Sequence, residues 1–210
     1  MSYARKLLVT LSLAASILYF ANLLPDNVVW KGLSVSPLAL LALLERERLL
    51  GLALALGSLG DVLLGLSPSL FVAGLFAFLI GHVVYTVLWV RNWPRPLRPQ
   101  WTSLGMLWIC ASAVCLWLLP FLGAMAVPVF FYMLAITTMV TAAIVTRITW
   151  VMLGAVLFFV SDSLLGINRF WKPLPYREVL VWATYYLGQL AIALGYLMHK
   201  PQESRAAHRP

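Results

Sequence analysis

The chain has 210 residues, of which 62% are hydrophobic and 10% charged, with a formal net charge of +8. No polar stretch is long enough to form a separate soluble domain, so the composition describes a polytopic membrane protein. Continuous, non-alternating hydrophobicity excludes a β-barrel.

A bilayer core takes about 20 apolar residues per helix and tolerates no unsatisfied backbone, so each apolar run is expected to be one helix. Eight spans are predicted, at 7–24, 30–44, 49–66, 71–90, 102–119, 124–146, 150–167 and 178–198, the second being the shortest. The fold class is therefore all-α, a bundle of eight transmembrane helices, with residues 1–200 as one domain and 201–210 as a short basic cytoplasmic tail. The first span follows Arg5 and Lys6 and is longer than a signal-peptide core, without a small-residue cleavage site, which fits a retained signal anchor.

Turn and charge signals separate the spans: Pro25-Asp26-Asn27, Glu45-Arg46-Glu47-Arg48, Ser67-Pro68-Ser69, the stretch from Arg91 to Gln100, Pro120, Arg147 and the stretch from Asn168 to Arg177. Trp30, Trp89, Trp93, Trp101, Trp150 and Trp171 fall at span ends, where the indole ring favours the headgroup level. With the N-terminus inside, Arg5, Lys6, Arg46, Arg48, Arg91, Arg95, Arg98, Arg147, Lys200, Arg205 and Arg209 are internal. Only Lys31, Arg169, Lys172 and Arg177 are external. That asymmetry predicts both termini in the cytoplasm, and the compact, tail-poor chain points to a bacterial inner membrane. The basic balance belongs to this asymmetry and to anionic lipid heads, not to nucleic acid, which would require a basic groove. Cys110 and Cys115 lie five apart on one helix and read as structural thiols.

Within this apolar background two aspartates sit in matching settings. Ser58-Leu59-Gly60-Asp61-Val62-Leu63-Leu64-Gly65 is echoed by Phe159-Val160-Ser161-Asp162-Ser163-Leu164-Leu165-Gly166. An ionisable group at the centre of a span costs about 2.5–3.5 kcal/mol even on lenient insertion scales, so such residues are functional candidates by default. Asp61 and Asp162 are 101 residues apart, in the third and seventh spans. Four spans of separation give the same direction across the membrane, which suggests two four-helix halves in a parallel pseudo-repeat. Both carboxyls are then expected at one depth, roughly 9 Å below the outer boundary.

Other polar residues fall at compatible depths: Ser58, Ser161, His82, Tyr132, Tyr185 and Gln189, with Lys31, Asn168 and Arg169 near the outer ends of their spans. Interhelical hydrogen bonding accounts equally well for His82 and Gln189, and snorkelling equally well for Lys31. Tyr85 and Tyr186 read as packing, and Gly57, Gly60, Gly65, Gly154 and Gly166 as close helix contacts. There is no HExxH, no cysteine ligand set, no GxSxG elbow and no phosphate loop. A carboxyl pair in a low-dielectric site remains: one carboxyl acts as general acid and the other as base, suited to opening an ether-like bond through an oxocarbenium-type transition state.

At these residues the chain resembles the lysoplasmalogenase family, the YhhN-like integral membrane proteins. The resemblance covers most of the chain. It rests on Leu59-Gly60-Asp61 with Leu63-Leu64, Phe78, Gly81-His82 and Tyr85, and Tyr132-Met133-Leu134. It continues through Gly154-Ala155-Val156-Leu157-Phe158, Ser161-Asp162-Ser163-Leu164-Leu165, Asn168-Arg169-Phe170 and Tyr185-Tyr186 with Gln189. Lys31 is followed by Gly32 where the family carries Lys-Pro. The resemblance implies hydrolysis of the vinyl ether bond of lysoplasmalogens to a fatty aldehyde and glycerophosphocholine or glycerophosphoethanolamine, with water as co-substrate and with neither metal nor cofactor. In that reading Asp61 and Asp162 do the acid and base work, His82, Tyr132 and Tyr185 polarise the ether oxygen or position water, and Lys31 or Arg169 holds the lipid phosphate. The alternatives are a small proton-coupled transporter, which predicts transport without product, and a non-catalytic lipid-binding protein, which predicts binding without turnover.

Overall fold

The computed structural model describes residues 3–21, 27–91 and 96–199. The proline turn at 25–26, Trp93, Arg95 and the basic tail from Lys200 onward lie outside the described residues. The chain is all-helical, with no strand among the described residues. In order the helices are α1 (Tyr3–Ala21), α2 (Asn27–Leu44), α3 (Arg48–Leu66), α4 (Phe71–Val90), α5 (Arg98–Leu122), α6 (Ala126–Val145), α7 (Thr149–Gly166) and α8 (Arg177–His199). A short 3-10 turn, Pro68–Leu70, leads into α4, and a π-helical turn, Ile167–Trp171, extends α7.

Among the described residues six helical runs are long and apolar enough to cross a membrane, with Val28–Leu44 as a shorter apolar helix. One of the six, Arg98–Val145, is 48 residues long. Straight, it would measure about 72 Å, more than twice the roughly 30 Å hydrocarbon core. It is not straight: Gly123, at φ +50, turns the chain and α6 packs back against α5. Composition and these helices make the chain an integral membrane protein.

The predicted spans recur as helices with ends shifted by a few residues, chiefly in α1, α2 and α5. Trp89 departs from the interfacial expectation. It is buried and stacks on Tyr85 at 5.2 Å, inside the bundle.

A shift of 101 residues carries α3 onto α7 almost end to end and α2 onto the body of α6. The turns that join them share an unusual feature. Arg46 (φ 65) and Arg147 (φ 62) both adopt the left-handed conformation, which L side chains normally leave to glycine. The packing follows the same shift: α2 on α3 as α6 on α7, α3 on α4 as α7 on α8, and α4 on α6 as α8 on α2.

Glycines set the closest approaches. A Cβ on Gly154 would lie 2.6 Å from the Gly188 carbonyl oxygen, and one on Gly188 would lie 2.8 Å from that of Gly154, so α7 and α8 meet backbone to backbone. In the first half Gly60 lets the Phe78 ring of α4 lie against α3, where a Cβ would approach it to 2.6 Å.

Candidate active site

At the end of the bundle where α3 and α7 finish and α4 and α8 begin, a cavity of about 320 Å³ runs down to both aspartates. Its walls include Lys31, Asp61, Ser161, Asp162, Asn168, Arg169 and Tyr185, seven of the residues singled out by sequence. Asp61 is 3% exposed and the Asp162 side chain 11%. They reach this depth because each stands four or five residues before the end of its helix, just below the polar turn that follows.

Each carboxyl is backed by a tyrosine. Tyr132 of α6 donates its hydroxyl hydrogen to Asp162 Oδ2, and His82 Nε2 of α4 lies 3.1 Å from that hydroxyl and 3.5 Å from the same carboxylate oxygen. A phenol has one proton, so with it directed at Asp162 the hydroxyl oxygen accepts from the Nε2–H of His82. The other ring nitrogen, Nδ1, is buried and has no hydrogen-bond partner among the described residues.

Tyr185 of α8 borders the cavity beside Asp61. Behind it, Gln189 Nε2 donates to the Tyr185 hydroxyl at 3.3 Å, and Tyr85 donates to Gln189 Oε1 at 2.7 Å. Asp61 Oδ2 is buried and has no hydrogen-bond partner among the described residues. Lys31 and Asp162 border the same cavity as Asp61.

Both chains of hydrogen bonds therefore end on α4, at His82 and Tyr85. Phe158 fills the space between them, packing edge-on against His82 at 4.9 Å and Tyr185 at 5.1 Å. Gly57 clears room for the second chain, since a Cβ there would lie 2.7 Å from Gln189 Nε2 and 3.1 Å from the Tyr185 hydroxyl.

The remaining predicted residues divide. Ser58 is turned away from the cavity and donates to the Gly32 carbonyl at 2.9 Å, tying α3 to α2. Ser161 lines the cavity but donates to the Val181 carbonyl at 2.9 Å, and Asn168 Oδ1 accepts from the Leu174 amide at 3.0 Å, folding the approach to α8. Arg169 lies 4.8 Å from the centre of the Phe71 ring. Lys31 Nζ stands over the rings of Tyr19 and Trp182 at 5.9 and 5.6 Å.

Sequence reasoning missed Tyr19, Arg177, Glu178 and Trp182 at the mouth, and it read Tyr85 as packing. Arg177-Glu178, opening α8 beside a predicted outer turn, was the available signal for the mouth. Nothing in the sequence pointed to Tyr19, which reaches the site only because α1 packs on α2 and α8. Among the described residues no group of three or more His, Cys, Asp or Glu side chains gathers as a metal-ligand set.

The YhhN family matches residues 3–196 of the chain. A lysoplasmalogenase of Mycobacterium bovis is 30% identical over 163 residues, covering 74% of this chain and 62% of the relative. Lysoplasmalogenase TMEM86B of Sus scrofa is 31% identical over 194 residues, 84% of this chain and 80% of the relative. The human TMEM86B lysoplasmalogenase is 32% identical over 155 residues, 69% and 62% respectively. The matched part of the chain thus spans less than two thirds of the mycobacterial and human relatives. No solved structure matches the chain.

Proposed function

Because the chain belongs to the YhhN family, we propose that it is a lysoplasmalogenase, a membrane hydrolase that opens the vinyl ether bond of a lysoplasmalogen with water. The observation that carries this reading is the convergence of a buried and a largely buried carboxyl, each with a tyrosine beside it, on one cavity that also collects Lys31, Arg169 and Arg177. A polar floor, a cationic rim and apolar walls suit a lipid that has a phosphate, a reactive ether and one hydrocarbon chain.

The chemistry balances with one water and no other reactant. One aspartic acid gives its proton to the outer vinyl carbon, leaving an oxocarbenium ion that the other carboxylate stabilises. That carboxylate takes a proton from water as the water oxygen bonds to the carbon bearing the ether oxygen. The hemiacetal then collapses: the proton passes to the glycerol oxygen, the carbon–oxygen bond breaks, and a fatty aldehyde and a glycerophospho-alcohol leave. Tyr132 with His82, and Tyr185 with Gln189, hold the two carboxyls at fixed angles throughout. Lys31, Arg169 and Arg177 supply charge-assisted hydrogen bonds to the phosphate.

The same reading gives eight transmembrane helices in two parallel four-helix halves, both termini in the cytoplasm and a bacterial inner-membrane location. The common shift of helices, left-handed arginines and packing partners supports the repeat. The deciding assay is aldehyde release from a lysoplasmalogen by the purified protein in detergent, beside an ordinary ester lysophospholipid as control. Asp61→Asn and Asp162→Asn are each expected to lower the rate by about 10²- to 10⁴-fold. Full turnover in both variants rules the mechanism out.

A further inference from the structure

The two halves enclose equivalent space and line it differently. Beside Lys31 a cleft of about 290 Å³ is bordered by Val28, Lys31, Leu64, Gly65 and Val179. Shifted by 101 residues these positions become Val129, Tyr132, Leu165, Gly166 and Phe78, all of which border a second cleft beside Asp162. Both clefts adjoin the central cavity: the first shares Lys31, Arg177 and Glu178 with it, the second Phe71, Phe78 and Asp162. One cleft is ionic. The other, apart from Asp162, Tyr132 and Ser163, is hydrocarbon.

We propose that this duplicated cleft has divided into a headgroup subsite at Lys31 and Arg177 and a hydrocarbon-chain subsite between α4 and α5. A single-chain phospholipid then lies across the carboxyl pair. The inference rests on the hydrolase reading and adds to it the direction in which the substrate lies. In such a lipid the ether stands between the glycerophosphate and the chain, so a molecule with its ends in opposite clefts presents the ether to the carboxyls.

The ionic side is built for a phosphate. Lys31 makes no ion pair within 4 Å among the described residues and is held over two aromatic rings. Glu178, largely exposed beside Arg177, complements the ammonium of a zwitterionic head.

The apolar side owes its access to α5. Its counterpart α1 is locked to α8, with Trp182 Nε1 donating to Ser16 at 3.0 Å and the Ser12 and Tyr186 hydroxyls 2.8 Å apart. α5 instead buries only Leu104, Ala111, Leu118 and Leu122 of its 25 residues, and it rests on α6 and the π-turn. The chain cleft is narrow, about 40 Å³, and its α5 wall is Val114 and Leu118. A Cβ on Gly166 would meet only Leu118 Cδ1, at 3.5 Å, so this seam has slack.

The test measures binding of saturated-ether lysophosphocholines, which carry no vinyl bond, with 8- or 16-carbon chains, to the protein in lipid nanodiscs. Leu118→Phe and Val114→Phe narrow the chain cleft from a loosely packed helix, and monodisperse elution verifies their folding. Each is expected to weaken the 16-carbon ligand at least about tenfold and the 8-carbon ligand less than about threefold, because only the longer chain fills the cleft. Arg177→Ala is expected to weaken both lengths alike and to leave a phosphate-free alkylglycerol unaffected. Equal effects of the α5 variants on both lengths, or none on either, overturn the assignment and indicate a cleft filled by bilayer lipid. Wild-type protein that shows the expected binding but releases no aldehyde from a vinyl ether overturns the hydrolase reading alone.

Discussion

Beside each aspartate stands a phenol, and the one at Asp162 directs its single proton at the carboxyl. Tyr132 joins Asp162 to His82, while Tyr185, beside Asp61, accepts from Gln189, which in turn accepts from Tyr85. Neither tyrosine needs to exchange a proton with substrate for this role, so its removal should disturb orientation more than binding. Tyr132→Phe and Tyr185→Phe are each expected to lower kcat for aldehyde release by about 10- to 100-fold with KM changed little. An unchanged kcat in either variant would detach that tyrosine from the chemistry. The aspartates were legible in the sequence because a charge in an apolar span stands out from its background. Tyr85 was not, because an aromatic residue in a membrane helix looks the same whether its hydroxyl is idle or hydrogen-bonded. The placement of Gly57, opposite the Gln189 and Tyr185 side chains, becomes meaningful only once α3 and α8 are seen together.

Helices place these side chains through contacts that leave no room for a methyl group. α7 and α8 touch at Gly154 and Gly188, and the obstacle to a Cβ at either is backbone, which cannot rotate away. Gly154→Ala or Gly188→Ala should therefore push the two helices apart, costing about 1–3 kcal/mol and lowering the thermal midpoint of the protein in detergent. Gly57→Ala meets side-chain ends instead. It should keep most of the stability and lose activity, about tenfold or more, by displacing Gln189 and Tyr185. Gly105 provides the contrast: a methyl group there would meet nothing within 4 Å, so Gly105→Ala is expected to be neutral or to stabilise by up to about 1 kcal/mol. A midpoint for Gly154→Ala equal to that of Gly105→Ala would contradict the backbone contact. Hydropathy located these helices well, since burial in lipid is a property of whole segments. At Trp89, where hydropathy expected headgroups, the span end is covered by protein.

At the level of the whole molecule the proposed orientation decides from which leaflet the proposed substrate comes. The turns holding Arg46 and Arg147 lie at one end of the bundle, and the cavity mouth, with Ser67, Pro68, Asn168, Arg169 and Arg177, lies at the other. On the proposed orientation, in which the excess of Lys and Arg on the segments grouped with Arg46 faces the cytoplasm, the mouth should face outward and take its lipid from the outer leaflet. Tyr176, 81% exposed in the turn before α8, reports on the mouth end. In a background where Cys110 and Cys115 are replaced by alanine, Tyr176→Cys is expected to react with a membrane-impermeant maleimide in intact cells. Arg46→Cys should react only after the membrane is opened. The opposite pattern would turn the bundle over, placing the carboxyl pair near the inner face and making the cytoplasmic leaflet the source of substrate.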